Sequence, residues 1–271
     1  MSSEKIRVDL HNHTTLCNHA SGSMEEYVQK AIEVGIDFFG FSDHAPMPFD
    51  PKYRMDISQK DFYEKEVLSL KEKYKNDIEL LLSYEVDFMQ NSSLMLDKVL
   101  NANVDYLIGS IHFIQEKDSS LWGFDNPEFI GKYKEKNIDD IWCDYFEAIE
   151  QMAKSKLFDI VGHLDLIKVF KYLPNKEIKQ IVFPSLKAIK ESNMTLEINA
   201  AGLRKPIAQT YPSKEILEVA FELDIPITFS SDAHDPSQIG FKYEEVTSLA
   251  KEIGYTKCAY YKNRERILAT F

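Results

Sequence analysis

Only 3 cysteines occur among the 271 residues, and Cys17, Cys143 and Cys258 stand far apart with no C-x-x-C pair. That excludes a disulfide framework and a thiolate zinc knuckle, and it fits a reducing compartment. Long apolar runs are missing as well. None approaches the roughly 18 residues that a membrane span requires, and "MSSEKIRVDL" carries no apolar core of a secretory signal. The sequence therefore predicts a soluble, cytoplasmic protein with no membrane contact. Basic charge is in deficit: 32 Lys and Arg face 44 Asp and Glu, a formal net charge of -12. Such a surface repels phosphate backbones, so nucleic acid is not an expected partner. A cationic small molecule or bound dications suit it better. The patterns G-x-G-x-x-G and G-x-x-x-x-G-K-[ST] are both absent, which argues against an open nucleotide-binding sheet.

What is present reads as one globular domain over 1–271. Hydrophobic residues make up 44% and charged residues 28%, enough apolar chain for a sizeable core. Short apolar runs alternate with amphipathic stretches. "IRVDLH", "IDFFGFSDH", "IELLLSYEVDF", "VDYLIGSIHF", "FDIVGHLD", "MTLEINA" and "IPITFSSDAH" read as seven strands. Helical stretches lie between them. "SMEEYVQKAIEVG" carries a capping box, Ser23 and Glu26, and a stop at Gly35. In "NKEIKQIVFPSLKAIKESN", Pro184 predicts a kink. Residues 114 to 137 are polar and turn-rich, a loop insertion, and the tail "TKCAYYKNRERILATF" suggests an edge strand and a turn. Repeated βαβ units imply a parallel sheet. Seven such units in this length favour a distorted (β/α)7 TIM-like barrel.

All seven histidines fall at or just beyond the carboxyl ends of these strands. His11 and His13 end the first, with His19 in the loop after it. His44 ends the second, His112 the fourth, His163 the fifth and His234 the seventh. Glu85 ends the third strand and Asp232 the seventh. In a barrel those ends share the face on which active sites are built. In H-x-H on a strand both imidazoles point the same way, because side chains alternate with period two. Imidazole and carboxylate without thiolate suit Zn, Mn or Fe. Seven imidazoles and two carboxylates exceed the needs of one ion, so two or three divalent ions are expected.

In this order, "DLHNHT", "FSDHA", "SYEVDF", "SIH", "GHLD" and "SSDAH" resemble the PHP superfamily (polymerase and histidinol phosphatase). The resemblance covers nearly the whole chain and is strongest to the histidinol-phosphate phosphatase branch, through "HNHTTLCNHASGSMEEYVQKAIEVGIDFFGFSDHAP" and "EINAAGLRKPIAQTYPSKEILEVAFELDIPITFSSDAH". It implies a distorted seven-stranded barrel and a trinuclear cluster. His11, His13, Glu85 and Asp232 would hold the first ion. Glu85 would bridge to a second, completed by His112 and His163. His19, His44 and His234 would hold a third. The implied reaction is hydrolysis of L-histidinol phosphate to L-histidinol and phosphate in histidine biosynthesis, by attack of a metal-bridging hydroxide. Alternatives are a phosphoesterase acting on nucleotides or nucleic-acid ends, and a non-catalytic metal-binding regulatory protein.

Further residues near the strand ends are candidates for the substrate. Arg204 is placed to take the phosphate with its planar fork. Asp43 is placed to orient an imidazole or to meet substrate. Asp165 is likewise a candidate to orient an imidazole or to meet the substrate amine, and Asn199 for the pocket wall. Trp122 and Phe124 offer a lid or the packing of a long loop. Cys17 lies close enough in sequence to His19 to affect the choice of metal.

Overall fold

A computed structural model describes residues 5–116 and 118–271. The first four residues of the N-terminal stretch and residue 117 within the insertion lie outside the described residues. The main sheet contains β1 (Val8–Asp9), β2 (Phe38–Phe41), β3 (Glu79–Asp87), β4 (Tyr106–Ser110), β7 (Ile160–Val161), β8 (Thr195–Asn199) and β9 (Ile227–Ser230). Their order in the sheet is that order, with every pairing parallel. Beyond β1, Leu10 N–H donates to Phe229 O at 3.1 Å and His13 N–H to Ala233 O at 2.9 Å. A parallel bridge joins Asn12 to Ala233. These bonds join the first strand to the last, giving a nearly closed barrel of seven strands.

The strands are shorter than their apolar runs. β1 and β7 keep only two ladder residues each. The chain leaves the sheet early there, and the polar ends of the runs become the rim of the barrel. Between those ends the strands are buried on both faces, as continuous runs such as Leu80, Leu81 and Leu82 require. Helices α1 (Met24–Glu33), α2 (Lys60–Lys73), α3 (Asp97–Leu100), α4 (Ile138–Ser155), α5 (Ile178–Glu191), α6 (Lys214–Glu222) and α7 (Tyr243–Ile253) connect them. The capping box of α1 is complete: Ser23 N–H donates to Glu26 Oε2 at 2.6 Å, and Glu26 N–H to Ser23 Oγ at 3.3 Å. Gly35 follows with φ of 73°, a backbone that favours glycine. Helix α5 runs through Pro184 as one element.

Two expectations change. Residues 114 to 137 are not simple loop. β5 (Phe113–Gln115) and β6 (Leu121–Gly123) form an antiparallel hairpin, followed by a 3-10 helix, Pro127–Lys134. Strands of three residues show no alternation to read. Trp122 and Phe124 are buried, against Tyr133 and Tyr145, so they bolt the hairpin down rather than form a lid. The tail forms a second hairpin, β10 (Lys257–Lys262) with β11 (Glu265–Thr270). It lies across the amino ends of the strands. Thr228 Oγ1 donates to Ala259 O at 2.8 Å, Arg264 N–H to Asp105 O at 2.8 Å, and Ile6 N–H to Thr270 O at 2.9 Å. The hairpin is thus the floor of the barrel. Among the described residues no helix is long and apolar enough to cross a membrane.

Candidate metal centre and active site

Glu85 is the centre of the site. It lies on β3, is 2% exposed, and its two oxygens face different imidazoles. Oε2 lies 2.9 Å from His44 Nδ1, 3.3 Å from His11 Nε2 and 3.8 Å from His13 Nε2. Oε1 lies 2.8 Å from His163 Nε2 and 3.7 Å from His112 Nε2. Asp232 stands on the other side of His13, with Oδ1 at 3.1 Å from Nε2. Its φ of 51° is a left-handed backbone, a strain of the kind kept at functional sites. His19 and His234 complete the group, with ring centroids 4.6 Å apart.

The two histidines of H-x-H face the same interior because the Asn12–Ala233 bridge keeps the chain extended past β1. Asn12 points the other way, and its amide donates to Asp9 and to Gly40 O.

A set of acids behind the imidazoles holds them in place. His11 Nδ1 bonds Glu197 Oε1 at 2.7 Å, and His112 Nδ1 bonds Asp87 Oδ1 at 2.6 Å. His19 Nδ1 bonds Cys17 O at 2.8 Å. Each leaves Nε2 for the cavity, the arrangement that orients metal-binding histidines. Sequence reading missed Glu197. The available signal was its place in "TLEINA", two residues before Asn199 and so on the same strand face. Asp87 was missed as well, and two residues after Glu85 it shares that face too. Arg54 anchors Asp87, with Nη1 2.9 Å from Oδ2.

The electrostatics follow from this crowding. Burial would raise Glu85, but His11, His44 and His112 hold it well below the usual carboxylate range. Asp232 is held down in the same way, chiefly by His11 and His13. Burial pulls His44 down to about 4 and pulls His234 well below the usual imidazole range, so both keep a free lone pair. His112 goes the other way. Burial opposes its charge, yet Asp87 and Glu85 raise it to about 10. Burial pushes the Cys17 thiol up, and its S–H donates to Thr14 O, while its sulfur lies within 4.8 Å of ligand atoms of His13 and His234.

The donor set fits metal ions. His11 Nε2 and Glu85 Oε2 are buried without a hydrogen-bond partner, as atoms waiting for a cation are. Donor atoms of His11, His13 and Glu85 lie within 4.8 Å of one another, as do those of His11, His163 and Asp232, of His44, Glu85 and His112, and of His19, His44 and His234. Nitrogen and oxygen ligands without thiolate suit Zn, Mn or Fe.

A cavity of about 570 Å³ opens over the cluster. Arg204 lines it. Its Nη2 donates to Ser231 O at 2.9 Å and to Asp232 O at 3.0 Å, the ring of Phe241 lies 5.0 Å beneath it, and Nη1 has no partner. Three other substrate candidates are placed elsewhere, a correction to the sequence reading. Asp165 is fully buried away from this cavity. It accepts Lys168 Nζ at 2.7 Å and Ser213 N–H at 2.9 Å. Strand β7 ends at Val161 and His163 turns to φ of 20°, so the alternation that would aim Asp165 inward is already lost. Asp43 accepts Thr14 Oγ1–H and His44 N–H, with His13 Nδ1 3.4 Å away, and so orients an imidazole rather than meeting substrate. Asn199 donates to Glu197 Oε2 and Asp232 Oδ2, both at 3.1 Å, and is buried behind them.

Fold and site together define a class: a parallel barrel that gathers histidines and carboxylates able to hold metal at the carboxyl ends of its strands. The family model for the PHP domain matches residues 9–201, and the chain belongs to that family. The match stops before Asp232 and His234, which the fold returns to the same centre. Over 249 residues the chain is 35% identical to a protein of Deinococcus radiodurans named "Probable histidinol-phosphatase", covering 91% of this chain and 93% of that one. It is 30% identical to the histidinol-phosphatase of Bacillus subtilis, covering 87% and 96%. A crystal structure of histidinol phosphate phosphatase from Lactococcus lactis, complexed with Zn, L-histidinol and phosphate, shares the fold with a TM-score of 0.79 at 18% identity, covering 97% of this chain and 100% of that one.

Proposed function

We propose that this chain hydrolyses L-histidinol phosphate to L-histidinol and inorganic phosphate, a step of histidine biosynthesis, with two or three divalent transition ions drawn from Zn, Mn and Fe. The observation that carries the reading is Glu85, whose oxygens face two imidazole sets beneath a cavity that also holds the unpartnered Nη1 of Arg204. His11, His13, Glu85 and Asp232 would hold one ion. Glu85 with His112 and His163 would hold a second, and His19, His44 and His234 a third. When bound, the ions supply positive charge for the phosphoryl oxygens and lower the pKa of water.

The chain's own residues do the rest. Arg204, held by its Nη2 bonds to Ser231 O and Asp232 O, offers the unpartnered Nη1 to a phosphoryl oxygen. Glu197, Asp87 and Asp43 keep the imidazoles turned toward the centre. Tyr53, Phe113 and Tyr211 line the cavity and give flat apolar walls to an imidazole ring. The relatives named histidinol-phosphatase support this choice of ester. The test is the chain loaded with Zn or Mn and assayed on a panel of phosphate monoesters. L-Histidinol phosphate should give the highest kcat/KM. Equal rates across the panel, or higher rates on nucleotides, overturn the substrate.

A further inference from the structure

The cavity wall carries five carboxylates: Asp50, Glu85, Asp87, Asp125 and Asp232. Four have charged or polar partners. Asp50 and Asp87 bind Arg54, and Glu85 and Asp232 face the histidines. Asp125 receives neither a hydrogen bond nor an ion pair from another described residue, although it is partly buried. A carboxylate withdrawn from water costs free energy unless a cation or donors meet it. The backbone of Asp125 is pinned on both sides. Phe124 before it is fully buried against Tyr145, with ring centroids 5.2 Å apart. Asn126 after it caps the 3-10 helix, accepting Glu128 N–H at 2.9 Å. The insertion thus holds at the cavity a carboxyl group that no other described residue bonds. Arg204 enters the same cavity from the loop after β8.

We infer that Asp125 receives the ammonium group of the substrate and makes the site selective for phosphate esters that carry an amine. This rests on the proposed function, and it fills the role that Asp165 is too deeply buried to play. The geometry divides the ester between two opposite charges. The guanidinium side takes the phosphate and Asp125 takes the cationic end. An uncharged ester leaves Asp125 unpaired, and a negatively charged one is repelled. Selectivity of this kind comes from the cost of the unmet partner as much as from the bond made.

The test compares two esters, L-histidinol phosphate and 3-(imidazol-4-yl)propyl phosphate, which lacks only the amine. Each is assayed with the metal-loaded parent, with Asp125→Asn and with Asp125→Glu. The parent should prefer the amine-bearing ester in kcat/KM by roughly 10- to 100-fold, the range of a hydrogen bond to a charged group. Asp125→Asn should bring that ratio close to one, and Asp125→Glu should restore part of it. An unchanged ratio in Asp125→Asn overturns the inference, as does an equal loss on both esters accompanied by loss of bound metal, which would make Asp125 a metal ligand. Failure of the function itself looks different: the parent then hydrolyses neither imidazole ester better than 4-nitrophenyl phosphate.

Discussion

The two ends of the barrel are built from the same strands and treat polar groups in opposite ways. At the floor nearly every charge meets a fixed partner of the chain. Asp105 accepts Leu82 N–H at 3.0 Å and Asn263 N–H at 3.2 Å, and Lys262 Nζ lies 3.0 Å from Glu79 Oε2. Arg264 pairs with Asp159 and donates to Leu157 O at 2.8 Å. At the mouth, buried polar atoms are left over: His11 Nε2, Glu85 Oε2 and Arg204 Nη1 make no hydrogen bond, and Asp125 meets the cavity with neither a hydrogen bond nor an ion pair from another described residue. The difference teaches where the fold spends its stability. Strand beginnings are closed by the chain itself, while strand ends are left for ligands, the division seen generally in barrels of this kind.

The comparison breaks most visibly at Glu85. Glu85→Gln keeps the shape and removes the charge shared by two imidazole sets. Hydrolysis should fall by at least about 100-fold, beyond the range for a supporting residue. Elemental analysis should show fewer than the two to three equivalents of metal expected of the parent. His19→Ala, at the exposed edge of the cluster, should cost less. A Glu85→Gln protein with full activity and full metal would show that the mouth does not depend on this carboxylate.

Arg204→Met comes next. It removes the fork and keeps some of the stem. A loss of about 2–4 kcal/mol in kcat/KM is expected, the order for one preorganised donor, which is roughly 30- to 1000-fold. It should appear with every phosphate ester, because the contact is to the shared group. A loss below about threefold on all esters would leave the unpartnered Nη1 without a role.

Glu197→Gln tests the acids behind the cluster. The change weakens the acceptor of His11 Nδ1 and should lower metal affinity about 10- to 100-fold. Competition against a chelator measures it. The same titration carries a pH dependence. In the metal-free chain His112 holds its proton up to about 10, because Asp87 and Glu85 favour the charged ring. Metal must displace that proton, so affinity should rise with pH through the neutral range, by roughly tenfold per pH unit for each proton released. Affinity that is flat between pH 6 and 9 would show that no proton leaves.

The smallest effect on activity belongs to the floor. Asp105→Ala orphans Leu82 N–H and Asn263 N–H. Stability in urea should fall by about 1–3 kcal/mol, with kcat/KM unchanged at temperatures where the variant is folded. A larger loss of activity than of stability would join the two ends that the comparison separates.

Much of this was legible before the structure. The apolar runs gave the seven parallel strands, because a strand buried on both faces needs an unbroken apolar stretch. The polar residues at the ends of those runs marked the mouth. The short hairpin β5–β6 was not legible, since three residues show no period. Asp165 misled for a related reason: the rule of alternate faces holds only while the chain is extended, and the chain bends at His163.

What the sequence determined by itself was the inventory and its address: seven imidazoles, Glu85 and Asp232, each at the end of a strand or, for His19, in the loop just beyond one. Those signals are local, a few residues wide, and periodicity carries them. What only the tertiary structure decided was pairing. Glu197 meets His11 across 186 residues, Arg54 meets Asp87 across 33, and the Asn12–Ala233 bridge joins the first strand to the last. It also decided which carboxylate is left over. Asp165 found Lys168 and Ser213 N–H, whereas Asp125 was held at the cavity without a hydrogen bond or ion pair from another described residue. No local pattern encodes that outcome, because a charge is satisfied or stranded by whatever the rest of the chain brings to it.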